Sequence, residues 1–355
     1  MRFQNRLSAF GAAVGMLILI LDSKTALTGA SKGINLCISN LIPSLFPFFV
    51  LSVLMTGSLS GQTVKILRPI CSICRMPEGT ESLIAVSMLG GYPVGAQNVS
   101  FLFRQGQINA VQAARLLAFC NNAGPAFIFG VLGTVFSVRT APWFLWLIHL
   151  VSAFLVAAFL PDMGGEYKIR SQPQNMRITT ALSQAVKITA TVCGWVVFMR
   201  VILAFMDVWF LHHLPLPIQI ILSGILELSN GCIRLRELDC EGLCFLIASG
   251  LLSLGGICVT LQTASVADGV DMRLYYPGKI LQCCISILLS CLFQFSFPAE
   301  GRLKNTWIFA IAGVLIILIT VILQYTKKVV ELLNPLVYNQ NNYGKEVSLC
   351  CFAKK

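Results

Sequence analysis

Charged residues are scarce in this chain of 355 residues. Asp, Glu, Lys and Arg together make up only 12% of it, while 56% is hydrophobic. A soluble domain carries about 25% charged residues, because water must solvate its surface. So few charges cannot cover the surface of a soluble fold of this length. The composition therefore excludes an ordinary soluble protein.

The scarcity is concentrated in seven long stretches, each of at least 20 residues without any charged residue. A bilayer core of about 30 Å is crossed by about 20 apolar residues in a helix. One such stretch can be a buried core helix, but seven indicate a membrane. The sequence therefore predicts an all-α polytopic membrane protein. The stretches are 33–64, 82–103, 116–138, 140–161, 242–267, 280–299 and 305–326.

Acidic residues are fewer than basic ones, which gives a formal net charge of +11. In a soluble protein this excess would favour nucleic-acid binding. Here the basic residues lie in short segments between apolar stretches, where they orient a membrane protein by the positive-inside rule. We therefore expect a lipid bilayer as surroundings and no nucleic-acid partner.

Motifs of catalysis are missing as well. The chain contains no Ser-His-Asp set, phosphate loop or ATP-binding motif. Most of its 14 cysteines lie within apolar stretches. Cys71 and Cys74 form an isolated pair without a second pair or a histidine nearby, which argues against a metal site. We expect no enzyme activity, no cofactor and no metal, so any transport would be secondary or passive.

The N-terminus allows two interpretations. Arg2 and Arg6 precede a short apolar stretch, 7–21, as in a signal peptide. An uncleaved first helix is the better interpretation, because the distribution of basic residues is consistent only if that helix is retained.

Two apolar segments are too broken to be simple spanning helices. Residues 90–98 contain three glycines, a proline, a glutamine and an asparagine. A lipid-facing helix cannot leave so many backbone groups unpaired, whereas a hairpin buried in protein can. The segment 216–232 is short and broken in the same way. We expect re-entrant hairpins at 83–102 and 216–232, the first entering from the cytoplasm and the second from outside.

About eight spanning helices complete this topology. It places 18 Lys and Arg residues in the cytoplasm, including the C-terminal tail, and seven outside, with Arg200 within a span. Cytoplasmic segments include 61–81, 103–115 and 161–187. The expected helices are 7–22, 34–60, 116–136, 141–160, 188–211, 243–266, 276–297 and 306–325.

Each half of the chain contains one hairpin, and the elements follow the same order in both halves: a helix, a hairpin, a Gly-containing helix and another helix. Met88–Gly95 corresponds to Ile225–Gly231, and Asn121–Pro125 corresponds to Leu254–Gly256. Paired breaks in two inverted halves indicate the central site of a transporter. The alternative is that glycines only permit close helix packing. The expected divisions are 1–33 (helix and loop), 34–160 (first repeat), 161–187 (loop), 188–297 (inverted repeat), 298–326 (last span) and 327–355 (basic tail).

Four motifs carry a resemblance to a known family. They are Pro43-Ser-Leu-Phe-Pro-Phe48, Gly90-Gly-Tyr-Pro-Val-Gly95, Asn122-Ala-Gly-Pro125, and Gly255-Gly256 followed by Gln262. Over roughly residues 7–325 the chain resembles the YlbJ-type sporulation integral membrane proteins of the wider nucleoside-recognition, or Gate domain, group. The resemblance implies transport of dipicolinic acid from the mother cell across the outer forespore membrane of an endospore-forming bacterium.

Dipicolinate is a small, planar dianion, and the breaks offer groups that suit it. A charge within a span is costly and indicates function, so Arg200 is a candidate for binding a carboxylate. It can equally pair with Glu227, which is either a proton-coupling group or a counter-charge. Tyr92 can stack on the pyridine ring or pack against Pro93. The remaining candidates, which bind substrate or cap helix ends, are Gly95, Gln97, Asn98, Asn121, Asn122, Ser229, Asn230 and Gln262.

Two other functions stay open at this point. The chain can be a membrane scaffold of spore assembly without transport, or a carrier for a nucleoside or another anion. Homo-oligomers are possible. The expected location is the cell membrane, with the C-terminus in the cytoplasm.

Overall fold

The computed structural model describes residues 2–59, 62–76, 79–161, 176–293 and 305–352. All regular secondary structure within these ranges is helical. Seven helical segments there are long and apolar enough to cross a membrane. The prediction of an all-α polytopic membrane protein is thus confirmed.

The first half of the chain contains one helix hairpin and one broken helix. Its helices are α1 (Arg2–Leu21), α2 (Ser23–Leu36), α3 (Ile42–Leu59), α4 (Arg68–Ile73), α5 (Glu81–Gly90), α6 (Val94–Arg104), α7 (Ala110–Cys120), α8 (Pro125–Gly130) and α9 (Ala141–Phe159).

The second half repeats this order and adds a last helix. Its helices are α10 (Ile178–Trp209), α11 (Leu216–Leu226), α12 (Leu228–Arg234), α13 (Glu241–Leu254), α14 (Gly256–Val266), α15 (Tyr275–Phe293) and α16 (Asn305–Phe352).

Both hairpins lie where the broken segments predict them. Helices α5 and α6 pack against each other across a short turn, and so do α11 and α12. They cover 81–104 and 216–234, against the expected 83–102 and 216–232. Which side of a bilayer each hairpin enters from stays a prediction.

Helix boundaries differ from the expectation at both ends of the chain. Residues 23–59 form one continuous helical segment, in which a π-helical turn at Cys37–Leu41 joins α2 to α3. The loop expected before residue 34 is therefore helix, and Lys24 and Lys32 lie on it. At the other end α16 does not stop near residue 325 but continues to Phe352.

Two residues that were counted in cytoplasmic loops are buried inside helices. Arg115 lies in α7, where its guanidinium donates to the carbonyl oxygens of Cys74 (2.7 Å) and Ala157 (2.8 Å). Lys279 lies in α15. Much of the loop 161–187, and the segment 298–304 with its two basic residues, fall outside the described residues.

The broken helices occupy the centre of the molecule. In the most apolar windows of 110–134 and 241–266, 83% of the residues are buried, against 11% for 307–330. Helix α16 instead exposes large apolar side chains such as Trp307, Phe309 and Ile317. Apolar groups thus face outward while many polar side chains lie inside, as expected for a protein surrounded by lipid.

Candidate functional site

The turn of the first hairpin rests on the break between α7 and α8. The chain turns at Gly91, which has a φ of 77°. A Cβ atom on Gly91 would lie 2.9 Å from the backbone nitrogen of Gly124, and one on Gly95 would overlap the carbonyl oxygen of Cys120. Because these neighbours are backbone atoms, no rotation of a side chain can make room. Close contact of hairpin and break therefore requires glycine.

The second hairpin makes the equivalent contact. The break between α13 and α14 is formed by Gly255 and Gly256, both with positive φ. A Cβ atom on Gly256 would lie 2.7 Å from the carbonyl oxygen of Ile225 and 2.8 Å from that of Gly224, near the end of α11. Each half thus places a hairpin turn against a broken helix, as the motif pairs predict.

Glu227 forms the turn of the second hairpin and caps α12. Its carboxylate accepts hydrogen bonds from the backbone N–H groups of Ser229 (3.1 Å) and Asn230 (2.9 Å), and from Asn230 Nδ2 (2.7 Å). Such a cap satisfies N–H groups that a helix start leaves free. No salt bridge joins Glu227 to Arg200, so the structure gives this carboxylate a different partner from the one considered above.

Arg200 lies beside a cavity of about 290 Å³, which we call the basic cavity. Lys32 of α2, Arg200 of α10 and Arg234 of α12 supply three cationic groups to its wall. Arg234 is paired with Glu237 at 3.1 Å, whereas Lys32 and Arg200 have no salt bridge within the described ranges. The remaining lining residues are Asn35, Leu36, Ser39, Asn40, Asn230 and Ile233.

A second cavity of about 650 Å³, the large cavity, lies against α6. Gln97 and Asn98 line it. Asn98 Oδ1 accepts from Thr56 Oγ1 at 3.2 Å, while Asn98 Nδ2 has no hydrogen-bond partner within the described structure. Arg104 and Lys187 add positive charge and Asp268 adds one carboxylate. The other lining residues are Val53, Thr56, Gly57, Pro93, Val94, Phe101, Met176, Gln184, Ile188, Thr191, Ala264, Ser265 and Val266.

Helix α10 passes both cavities at different levels. Thr191 lines the large cavity and Arg200 the basic cavity. Nine residues of α-helix separate the two positions by about 14 Å along the axis. The candidate residues that line a cavity therefore fall into two groups rather than one.

A third group of predicted residues is packed in the centre and lines neither cavity. Asn121 Nδ2 donates to Thr263 Oγ1 at 2.7 Å. Tyr92 Oη donates to the carbonyl oxygen of Leu252 at 2.7 Å, so the first hairpin is bonded to the second broken helix. Gln262 is buried and its Nε2 contacts Cys258 Sγ at 3.2 Å. For these side chains the structure shows packing and capping contacts.

Sequence reasoning missed the residues that surround Asn122. Its Oδ1 accepts from Lys279 Nζ (3.1 Å) and Gln282 Nε2 (2.9 Å). His149 lies next to them, accepting from the backbone nitrogen of Ala123 at 3.1 Å. The charge of Lys279 was expected at the cytoplasmic end of its helix and not in the protein interior. The signal that could have found it is the spacing of Lys279 and Gln282, which places both on one face of an otherwise uncharged helix.

Comparison with known proteins gives one informative similarity. The chain is 26% identical over 304 residues to "Sporulation integral membrane protein YlbJ" of Bacillus subtilis (strain 168), covering 71% of this chain and 74% of that protein. The similarity supports a YlbJ-type family. No family model and no solved structure matches the chain.

Proposed function

We propose that the chain is a sporulation-related transporter of a small organic anion, and that dipicolinic acid is its substrate. It would move the substrate from the mother cell towards the forespore, as a carrier rather than an enzyme, in the outer forespore membrane. The similarity to YlbJ supports the sporulation context. The paired hairpins and broken helices support the transport function, since such pairs surround the central sites of secondary transporters.

The observation that carries the choice of an anion is the basic cavity. Arg200 and Lys32 face it without a carboxylate partner within the described residues, and three asparagines surround them. A guanidinium binds a carboxylate through two parallel hydrogen bonds, and an ammonium adds a point charge. Two free cations suit a dianion better than a neutral nucleoside. We therefore place one carboxylate of dipicolinate at Arg200 and the other near Lys32.

The large cavity is a second position on the proposed transport path of the substrate. Arg104 and Lys187 give it positive charge, and the side chains of Gln97 and Asn98 add amide groups to its wall. The hairpin turns rest on the two helix breaks. Alternating access would arise when one half moves against the other and opens one cavity at a time to water.

The decisive experiment is uptake of labelled dipicolinate by proteoliposomes that contain the purified chain. We expect saturable uptake, which Arg200→Ala abolishes and which Lys327→Gln leaves unchanged, because Lys327 is exposed on α16. Competition by unlabelled nucleosides and other dicarboxylates tests the choice of substrate. Absence of uptake for dipicolinate and for every competitor would favour a scaffold without transport.

A further inference from the structure

The ammonium group of Lys279 lies in the protein interior without a counter-ion. Its residue is only 2% exposed, and no Asp or Glu of the described chain lies within salt-bridge distance. The partners of Nζ are amide oxygens, Asn122 Oδ1 at 3.1 Å and Gln282 Oε1 at 2.9 Å. A buried charge is costly unless other groups replace its hydration. The surroundings of Lys279 are therefore those of a cation-binding site.

An aromatic ring completes this site on another side. Lys279 Nζ lies 5.4 Å from the centroid of the Tyr92 ring at the turn of the first hairpin. The face of an aromatic ring attracts a cation, most strongly where water is excluded. The hairpin turn, the break and α15 are thus joined through one positive charge.

The C-terminal end of α7 adds a favourable dipole. Helix α7 ends at Cys120, two residues before Asn122. Gly278 allows α15 to approach this end, since a Cβ atom there would lie 3.0 Å from the carbonyl oxygen of Ala118. The C-terminus of a helix carries partial negative charge and stabilises a nearby cation. The same kind of end binds monovalent ions in transporters with broken helices.

We propose that the ammonium group of Lys279 replaces a bound monovalent metal ion at the break of the first half. Amide oxygens, an aromatic face and the end of a half-helix would otherwise bind Na⁺ or K⁺. Here the cation is tethered to α15 and cannot dissociate. The break between α7 and α8 is then stabilised whichever cation the surrounding salt contains. This inference concerns the ion requirement of the core and holds for any transported substrate.

Lys279→Ala tests the proposal, because it removes the cation and leaves its oxygen ligands and its space. Thermal unfolding of the purified protein in detergent is measured in NaCl, KCl, propylammonium chloride and choline chloride at equal ionic strength. Propylammonium restores the carbons and the charge that the substitution removes, whereas choline is too bulky to enter. We expect the wild type to unfold at one temperature in all four salts. Lys279→Ala should unfold several degrees below the wild type in choline chloride. Its unfolding temperature should rise again in propylammonium chloride and in NaCl or KCl.

Two matched variants control for other effects of salt. Lys279→Met fills the space with an apolar chain and should not respond to any of the cations. Lys327→Ala, exposed on α16, should behave as the wild type. An equal unfolding temperature of Lys279→Ala in all four salts overturns the proposal, as does a wild type whose stability requires Na⁺ or K⁺.

A second pair of variants keeps the proposal testable if Lys279→Ala does not fold. Gln282→Leu withdraws one oxygen from the ammonium and should lower the unfolding temperature. Adding Lys279→Met removes the charge that needed the oxygen and should restore part of the loss, since an uncompensated buried charge costs more than a neutral pair. Equal unfolding temperatures for the single and double variants reject a cation at this position. Because every readout is stability, the result is independent of whether dipicolinate is transported.

Discussion

Replacing Gly95 with alanine measures how tightly the first hairpin is packed on the broken helix. The new Cβ would overlap the carbonyl oxygen of Cys120 and lie 3.0 Å from Asn121 Cα. Both neighbours are backbone, so the start of α6 must move away. Overpacking of this kind costs about 1–3 kcal/mol, while alanine is favoured over glycine in a helix by up to about 1 kcal/mol. Subtracting the helix preference leaves a net loss of up to about 2 kcal/mol.

Gly194→Ala is the matched control for this substitution. Gly194 also lies in a helix, α10, but a Cβ atom there meets nothing within 4 Å. Only the preference for alanine over glycine in a helix then applies, so the stability of Gly194→Ala should equal or slightly exceed that of the wild type. Thermal unfolding in detergent compares the two variants, and membrane abundance shows that both insert. If Gly95→Ala is as stable as Gly194→Ala, the close contact of hairpin and break is refuted.

Larger changes at the same contact should eliminate function without preventing insertion. Leucine at Gly95 or at Gly124 fills the space where hairpin and break meet, so the two cannot approach each other. We expect dipicolinate accumulation in spores to be lost while the protein remains in the membrane. Normal accumulation in both variants would place the substrate path elsewhere.

Further predictions concern the charges and the topology. Arg200→Lys should lose nearly as much uptake as Arg200→Ala, because lysine lacks the planar fork of donors. Adding Glu227→Gln to Arg200→Ala should not restore uptake. Restored uptake in this double variant would show that Arg200 and Glu227 act as a charge pair. Glu227→Ala alone should lower stability by about 1–2 kcal/mol through the lost cap of α12, as thermal unfolding will show, whereas a stable variant would reject the capping role. Cysteine labelling from either side should place 61–81, 103–115 and 161–187 on the same side as the C-terminus. Labelling of 103–115 from the opposite side to 61–81 would contradict the re-entrant first hairpin.

The hairpins could be predicted from sequence because their signal is local. A dense cluster of glycine, proline and amide residues leaves too many backbone groups unpaired for a lipid-facing helix, so the cluster at 90–98 already argues against a simple span. The breaks were found for the same reason at Asn121–Gly124 and Gly255–Gly256. The helical conformation of 23–33 was missed because these residues are polar and small. There the tertiary contact with α10 maintains a helix that composition alone does not indicate.

The arrangement of the candidate site could not be predicted, because it depends on contacts distant in sequence. Gln97 of the first hairpin and Arg200 of a spanning helix are both candidate binding residues, yet they line different cavities. Asn122 is as polar as Asn98, but Lys279 and Gln282, more than 150 residues away, occupy its oxygen. Sequence reasoning identifies which side chains are near a break, whereas packing decides which of them remain free.

The two central charges of the core follow one physical rule. Glu227 lies at the N-terminal end of α12, where free N–H groups stabilise an anion, and Lys279 lies near the C-terminal end of α7, where carbonyl groups stabilise a cation. A hairpin turn and a helix break both leave helix ends unpaired within the membrane, and the second half supplies a charge of the required sign to each of these two ends. Both charges therefore stabilise helix ends inside the protein and are not available to bind a substrate. The groups that remain free for an anionic substrate are those of the cavities, above all Arg200, which is why substitution of Arg200 should affect transport more than stability.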